Sequence, residues 1–66
     1  MCEAAVFLKR GGDDEELLLE DVCIIRPDEE TGGLFLQNIF GEQRIVKATF
    51  DVANLSGHRI VLKAAN

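Results

Sequence analysis

The sequence is divided into short apolar runs, and turns rich in glycine and acidic residues separate them. None of the runs approaches the roughly 20 residues of a membrane-spanning helix, and no stretch keeps a helical period for three turns. The clearest run, 44–52, alternates instead: Val46, Ala48, Phe50 and Val52 share one face. Runs of this kind about 10 residues apart predict an all-β fold, a small barrel or sandwich of five to six short antiparallel strands.

The individual runs set the expected strand limits. We predict strands over 4–9, 17–27, 34–40, 44–52 and 59–65. The run 17–27 fits one bent strand or two short strands around Glu20 and Asp21, and its first half could also form a single helical turn. In the last strand, alternation places Ile60 and Leu62 inward and Val61 outward.

The charge of the chain restricts its partners. Twelve acidic residues against seven Lys and Arg give a net charge of −5. Nucleic acid binding depends on Lys and Arg at phosphates and on aromatic residues that stack on bases, and this chain has no Trp or Tyr. We therefore predict no nucleic-acid partner and favour a cation such as a metal ion. The acidic clusters at 13–16 and 28–30 are interpreted as solvated turns.

Neither a secretory signal nor a membrane segment is predicted, so we expect a cytoplasmic protein with reduced thiols. Cys2 and Cys23 are therefore not interpreted as a disulfide. Cys23 lies inside an apolar run and is expected to pack in the core. His58, the one histidine, lies in the turn signature LSGH. Because no nucleophile or acid–base pair stands out, we do not predict an enzyme.

Cys2 directly follows Met1 and is the residue with the most distinctive chemistry. If Met1 is removed, the thiol and the new α-amine of Cys2 can chelate one ion, and the Glu3 amide nitrogen can join when deprotonated. Two chains would offer two thiolates and two amines, a donor set that suits square-planar Ni(II) or Cu(II). This chemistry predicts a metal-bridged homodimer. From the residues alone, a stray terminal thiol stays equally open.

The segments MCEAAV, LEDV, LFLQNIFGE and NLSGHRIVL resemble the CooT family of small nickel-binding proteins over nearly the whole chain. The resemblance implies one domain over 1–66 with an SH3-like barrel. It also implies a homodimer that binds one Ni(II) through Cys2 of each chain, with the backbone nitrogen of Glu3. The implied role is a metallochaperone for carbon monoxide dehydrogenase or another nickel-enzyme client.

A second class of function is a small β-barrel adaptor that binds a protein or RNA partner without metal. In that case Cys2 would be irrelevant and binding would follow a surface patch. The outward cations Lys47, Arg59 and Lys63 are too few for strong phosphate binding.

Overall fold

The computed structural model describes residues 3–65, and these form six strands without a helix. The strands are β1 (Ala4–Lys9), β2 (Glu15–Pro27), β3 (Leu34–Asn38), β4 (Gln43–Val46), β5 (Ala48–Asn54) and β6 (Arg59–Ala64). The prediction of an all-β fold with five to six strands is confirmed. The predicted run 44–52 is divided at Lys47 into β4 and β5.

All six strands belong to one sheet, in the order β4-β3-β2-β1-β6-β5. The pairings are antiparallel except that of β1 with β6, the first and last strands, which run parallel from Ala5↔Arg59 to Lys9↔Lys63. The ladder does not close into the expected barrel: β4 and β5 are the two edges, although only Lys47 separates them in the chain. The antiparallel expectation therefore holds for four of the five pairings.

The core lies on one face of the sheet. The side chains of β1 alternate between buried and half-buried positions, as the sequence predicts for a strand. Val6, Leu36 and Leu62 are fully buried and come from β1, β3 and β6. Burial of side chains of this size stabilises the fold by roughly 1.5–3 kcal/mol each. The central strands of the sheet therefore carry most of its packing.

The long strand β2 is continuous but irregular, which corresponds to the bent-strand alternative. Asp21 adopts a positive φ of 58° at the predicted bend. Beyond it, Val22 pairs with Asn38 and Ile24 with Gln37, so Cys23 is an extra residue without a partner in the β2–β3 register. A bulged residue leaves the alternation of its strand. Cys23 is accordingly exposed, and the prediction that it packs in the core is wrong.

A second bulge changes the faces predicted for β5. Phe50 pairs with Leu62 and Val52 with Val61, so an extra residue separates Phe50 from Val52. The two side chains are 55% and 50% exposed rather than buried together. In β6, Ile60 and Leu62 belong to the core as predicted. Val61 lies on the opposite face as predicted but is only 4% exposed, because Phe7 and Val52 are its neighbours in the adjacent strands.

Candidate metal site

The proposed metal ligands lie at the start of the chain. Cys2 is outside the described residues, so the structure gives no position for its thiol. Glu3, the second predicted ligand residue, is half-buried and immediately precedes β1. The structure therefore defines where the chain leaves the sheet towards Cys2, together with the residues that surround this point.

The turn between β5 and β6 holds the backbone at Glu3. Nδ1 of His58 lies 2.9 Å from the carbonyl oxygen of Glu3. Since a carbonyl oxygen only accepts, Nδ1 carries the proton and donates it. The Ala5 N–H in turn donates to the carbonyl oxygen of His58 at 2.9 Å. These two hydrogen bonds restrain the Glu3–Ala4 and Ala4–Ala5 peptides, directly after the peptide that carries the Glu3 nitrogen.

The local sequence explains why His58 reaches this position. The Asn54 side chain accepts hydrogen bonds from the Gly57 N–H at 2.9 Å and from the Ser56 hydroxyl at 3.1 Å, as Asn commonly does in turns. The His58 N–H donates to the Leu55 carbonyl at 3.2 Å, and His58 adopts a φ of 55°. The turn thus ends with the imidazole directed at the chain start.

Beside Glu3 is a small cavity of about 140 Å³. Its lining is mostly apolar and comes from both ends of the chain and from β2: Glu3, Ala4, Val22, Cys23, Ile25, Leu55, His58 and Ile60. The bulge at Cys23 places a thiol, a soft metal ligand, in the same lining as Glu3 and His58. The cavity and the residues at its rim, Glu3, Cys23, Leu55 and His58, are called the pocket end.

Residues 3–65 do not supply a complete metal site of their own. In this part of the chain, no three His, Cys, Asp or Glu side chains are placed to hold one ion. Asp13 and Asp14 lie in an exposed loop as expected. Glu15 and Glu16 are exposed too, but they begin β2 and form ion pairs with Arg59 and Arg10, so the turn interpretation is wrong for them. A metal at the pocket end would thus need donors from the chain start.

The comparisons with known proteins point to one family. The family model for the CO dehydrogenase accessory protein CooT matches residues 1–63. This chain belongs to the CooT family. A crystal structure provisionally assigned to CooT from Carboxydothermus hydrogenoformans is similar, with 45% sequence identity and a TM-score of 0.88. The match covers 98% of this chain and 100% of that chain. A search of curated proteins finds no match.

Membership of the CooT family confirms the resemblance inferred from the sequence. The family is one of accessory proteins, which agrees with the prediction of a non-enzymatic role. Between residues 3 and 65 there is no helix that could cross a membrane. The cytoplasmic location and the lack of a nucleic-acid partner stay predictions.

The sequence did not reveal the contact between His58 and Glu3. His58 was correctly expected in an exposed turn, but 55 positions separate it from Glu3 along the chain. The contact depends on the parallel pairing of β1 with β6, which brings the residue before β6 next to the residue before β1. The turn signature LSGH was the available signal, and it placed His58 without indicating its neighbour.

Proposed function

We propose that this protein is a nickel-binding accessory protein of carbon monoxide dehydrogenase that acts as a homodimer. One Ni(II) is held between two chains by the Cys2 thiolates and by nitrogen donors at the chain start. The observation that carries the proposal is the family match, which begins at residue 1 and therefore includes Cys2 and Glu3.

The donor chemistry favours nickel over hard cations. Thiolate and amine ligands suit late transition metals, whereas Ca²⁺ and Mg²⁺ prefer oxygen ligands. Each chain supplies one thiolate from Cys2 and a nitrogen, either its α-amine after removal of Met1 or the Glu3 amide. Two chains complete four positions of mixed sulfur and nitrogen, the set that square-planar Ni(II) accepts.

The anchoring of Glu3 supports this arrangement. A ligand held by a neighbouring hydrogen bond loses less conformational freedom when it binds metal. His58 donates to the Glu3 carbonyl and thus restrains the peptide plane between Glu3 and Ala4. The Glu3 nitrogen proposed as a ligand belongs to the preceding peptide plane, so this contact holds the residue in place while rotation about its φ and ψ still directs the nitrogen.

Nickel titration of the full chain tests the proposal, with ultraviolet spectroscopy for the sulfur-to-nickel band and native mass spectrometry for stoichiometry. We expect one Ni(II) per two chains. Cys2→Ala should abolish the band, while Cys23→Ala, which removes the other thiol, should retain it. One nickel per single chain, or an unchanged band in Cys2→Ala, would contradict the shared site.

Processing of the first residue gives a second test. A chain that carries an additional N-terminal residue before Cys2 has an amide in place of the α-amine, so one nitrogen donor is lost. We expect weaker nickel binding than in the chain that starts at Cys2, with mass spectrometry to establish which form is present. Equal affinities would exclude the amine as a ligand and leave the thiolate and the Glu3 nitrogen.

Delivery to a client is the final part of the proposal. Nickel-free carbon monoxide dehydrogenase should gain activity faster with the nickel-loaded protein than with an equal amount of free Ni(II). Nickel-loaded Cys23→Ala serves as the positive control, and the Cys2→Ala variant mixed with nickel should give only the rate of the free ion. The same rate with and without the protein would reject a delivery role.

A further inference from the structure

The turn between β3 and β4 is held by a network of hydrogen bonds around one side chain. Asn38 is buried, and its side-chain oxygen accepts from the Phe40 N–H at 3.1 Å and from the Glu42 N–H at 2.9 Å. Its amide nitrogen donates to the Glu42 carboxylate at 2.7 Å. Gly41 supplies the positive φ of 86° at which the chain reverses. These contacts hold the turn in one shape, so a partner would not have to order it.

This turn holds a large aromatic side chain in solvent. Phe40 is 73% exposed, and its ring borders an open groove of about 360 Å³. Leu17, Leu18 and Leu19 of β2 also line the groove, and Leu17 is itself exposed. An aromatic ring on a preorganised backbone is typical of contact residues, because it buries a large area at a small cost in conformational entropy.

Carboxylates surround the ring. Glu20, Asp21 and Glu42 belong to the same groove lining, and within residues 3–65 none of the three forms an ion pair. The part of the lining that the structure describes contains no Lys or Arg. Leu17, Glu20, Asp21, Phe40 and Glu42 are called the turn patch. It combines apolar surface with negative charge.

Two cations stand near the turn patch, and both have partners within the chain. The Arg44 guanidinium donates to the Leu18 carbonyl at 3.1 Å. Arg59 of β6 pairs with Glu15 and lies 4.3 Å from the centroid of the Phe7 ring. Neither side chain is in the groove lining, where the three carboxylates outnumber them. The local potential is therefore negative and attracts positive groups.

We propose that the turn patch docks a cationic segment of a partner protein, one that presents an Arg or Lys side chain next to an apolar residue. The methylene stem and the cation cover the face of Phe40, the charged head meets Glu20 and Asp21, and the apolar neighbour packs on Leu17. The chain contains a model of this contact elsewhere, since the Arg26 guanidinium lies 4.1 Å from the centroid of an aromatic ring in β3.

The position of the patch gives it a part in the proposed function, on which this step of the inference rests. Asp21 belongs to the turn patch, and the next two residues of β2, Val22 and Cys23, line the cavity beside Glu3. A client protein on the turn patch is thus held beside the chain start, where nickel is proposed to bind. The turn patch supplies the docking step that precedes delivery.

Titration of the full-length, nickel-free protein with a short peptide of alternating arginine and leucine tests the docking chemistry, with NMR of the backbone amides as readout. We expect shifts at residues 20–21 and 38–42. Phe40→Ala should weaken binding at least about tenfold, since it removes the aromatic platform. Phe50→Ala is the matched control at an exposed ring on β5 and should change binding by less than about twofold. Circular dichroism checks that both variants fold. Equal losses, or shifts centred on β5, would overturn the inference.

Two double variants distinguish the charge of the patch from the charge of the whole chain. Glu20→Gln with Asp21→Asn removes carboxylates from the patch, and Asn tolerates the φ of 58° at position 21. Asp13→Asn with Asp14→Asn removes the same charge from an exposed loop at the far end of β1. At physiological salt, we expect the first variant to weaken peptide binding roughly threefold to tenfold and the second by less than about twofold. Equal effects would mean that total charge attracts the peptide and would reject the patch.

Delivery and oligomeric state separate the inference from the proposed function. Nickel-loaded Phe40→Ala should keep the wild-type nickel stoichiometry but activate nickel-free carbon monoxide dehydrogenase no faster than free Ni(II). Wild-type delivery by this variant would overturn the inference and leave the metal site standing. If the wild-type protein itself gave only the rate of the free ion, the delivery role would be rejected, and the peptide titration would still decide the docking chemistry. Conversion of the dimer to a monomer by Phe40→Ala in sedimentation equilibrium would make the patch a contact between copies and overturn the inference.

Discussion

The two ends of β1 differ in chemistry. At its Lys9 end, neighbouring residues form ion pairs: the Lys9 ammonium lies 3.5 Å from the Asp51 carboxylate, and Arg10 lies 3.1 Å from Glu16. At its Ala4 end, the main polar link is the hydrogen bond from His58 to the Glu3 carbonyl. Beside that link lies the apolar cavity, although Glu20 and Asp21 of β2 and Arg59 of β6 are also next to this end of β1.

This difference shows that one small sheet can carry a charged surface at one end and an apolar opening at the other. Exposed ion pairs add little stability, but charged groups discourage other chains from docking on the surface that carries them. The open apolar cavity lacks that protection at its mouth. The Lys9 end therefore presents paired charges to solvent, whereas the pocket end presents an apolar opening.

Truncating a core side chain should destabilise the whole sheet, including both ends of β1. This is the largest effect that we expect on the free energy of unfolding. Leu62 is fully buried in β6, the strand that pairs with β1 and β5. We expect Leu62→Ala to lower the free energy of unfolding by about 2–5 kcal/mol. Urea denaturation followed by circular dichroism measures this change.

The matched control for the core variant is Leu55→Ala, the same substitution at a side chain that is 72% exposed. In the monomer, at low protein concentration, its cost should stay within about 0.5 kcal/mol. Similar costs at Leu62 and Leu55 would mean that the core is not centred on β1 and β6.

Removing the imidazole of His58 should change the pocket end without disturbing the rest of the sheet. His58→Asn keeps a residue type that tolerates positive φ, so the turn should persist, but the Nδ1–H donor to Glu3 is lost. We expect a stability loss below about 1 kcal/mol and weaker nickel binding by roughly threefold to tenfold. Denaturation and nickel titration of the same samples measure the two effects.

A second variant separates anchoring from backbone strain. His58→Gly also lacks the imidazole and relieves any cost of positive φ. Both variants should lose nickel affinity to a similar degree although their stabilities differ. If nickel affinity followed stability, or stayed unchanged in both variants, the contact between His58 and Glu3 would have no part in metal binding.

The periodicity of the sequence predicted much of the sheet. The first strand, 4–9, has the predicted limits, and the bent-strand interpretation of β2 agrees with the positive φ of Asp21. The predicted faces failed at bulges, because a single extra residue reverses inside and outside for the rest of its strand. Cys23 is the clearest case: its apolar neighbours suggested the core, and the β2–β3 register placed it at the surface.

For the candidate site, too, one part could be predicted from the sequence and another part could not. The chemistry of Cys2 depends on its own atoms and its place after Met1, so it could be proposed from the sequence. The support from His58 depends on strand order, which short alternating segments do not encode: many pairings of six strands satisfy the same pattern. Only the parallel pairing of β1 with β6 brings His58 to Glu3.

The smallest effect on stability is expected for the ion pair at the Lys9 end of β1, and it tests the contrast with the pocket end. A double-mutant cycle of Lys9→Ala and Asp51→Ala should give a coupling of about 0.2–1 kcal/mol, the usual value for a partly exposed pair. At 1 M salt the Debye length falls to about 3 Å, so the coupling should nearly vanish. Nickel stoichiometry should not change in either variant, because both residues are at the far end of β1. A loss of nickel binding there would mean that the two ends are coupled through β1 and would remove the division of roles between them.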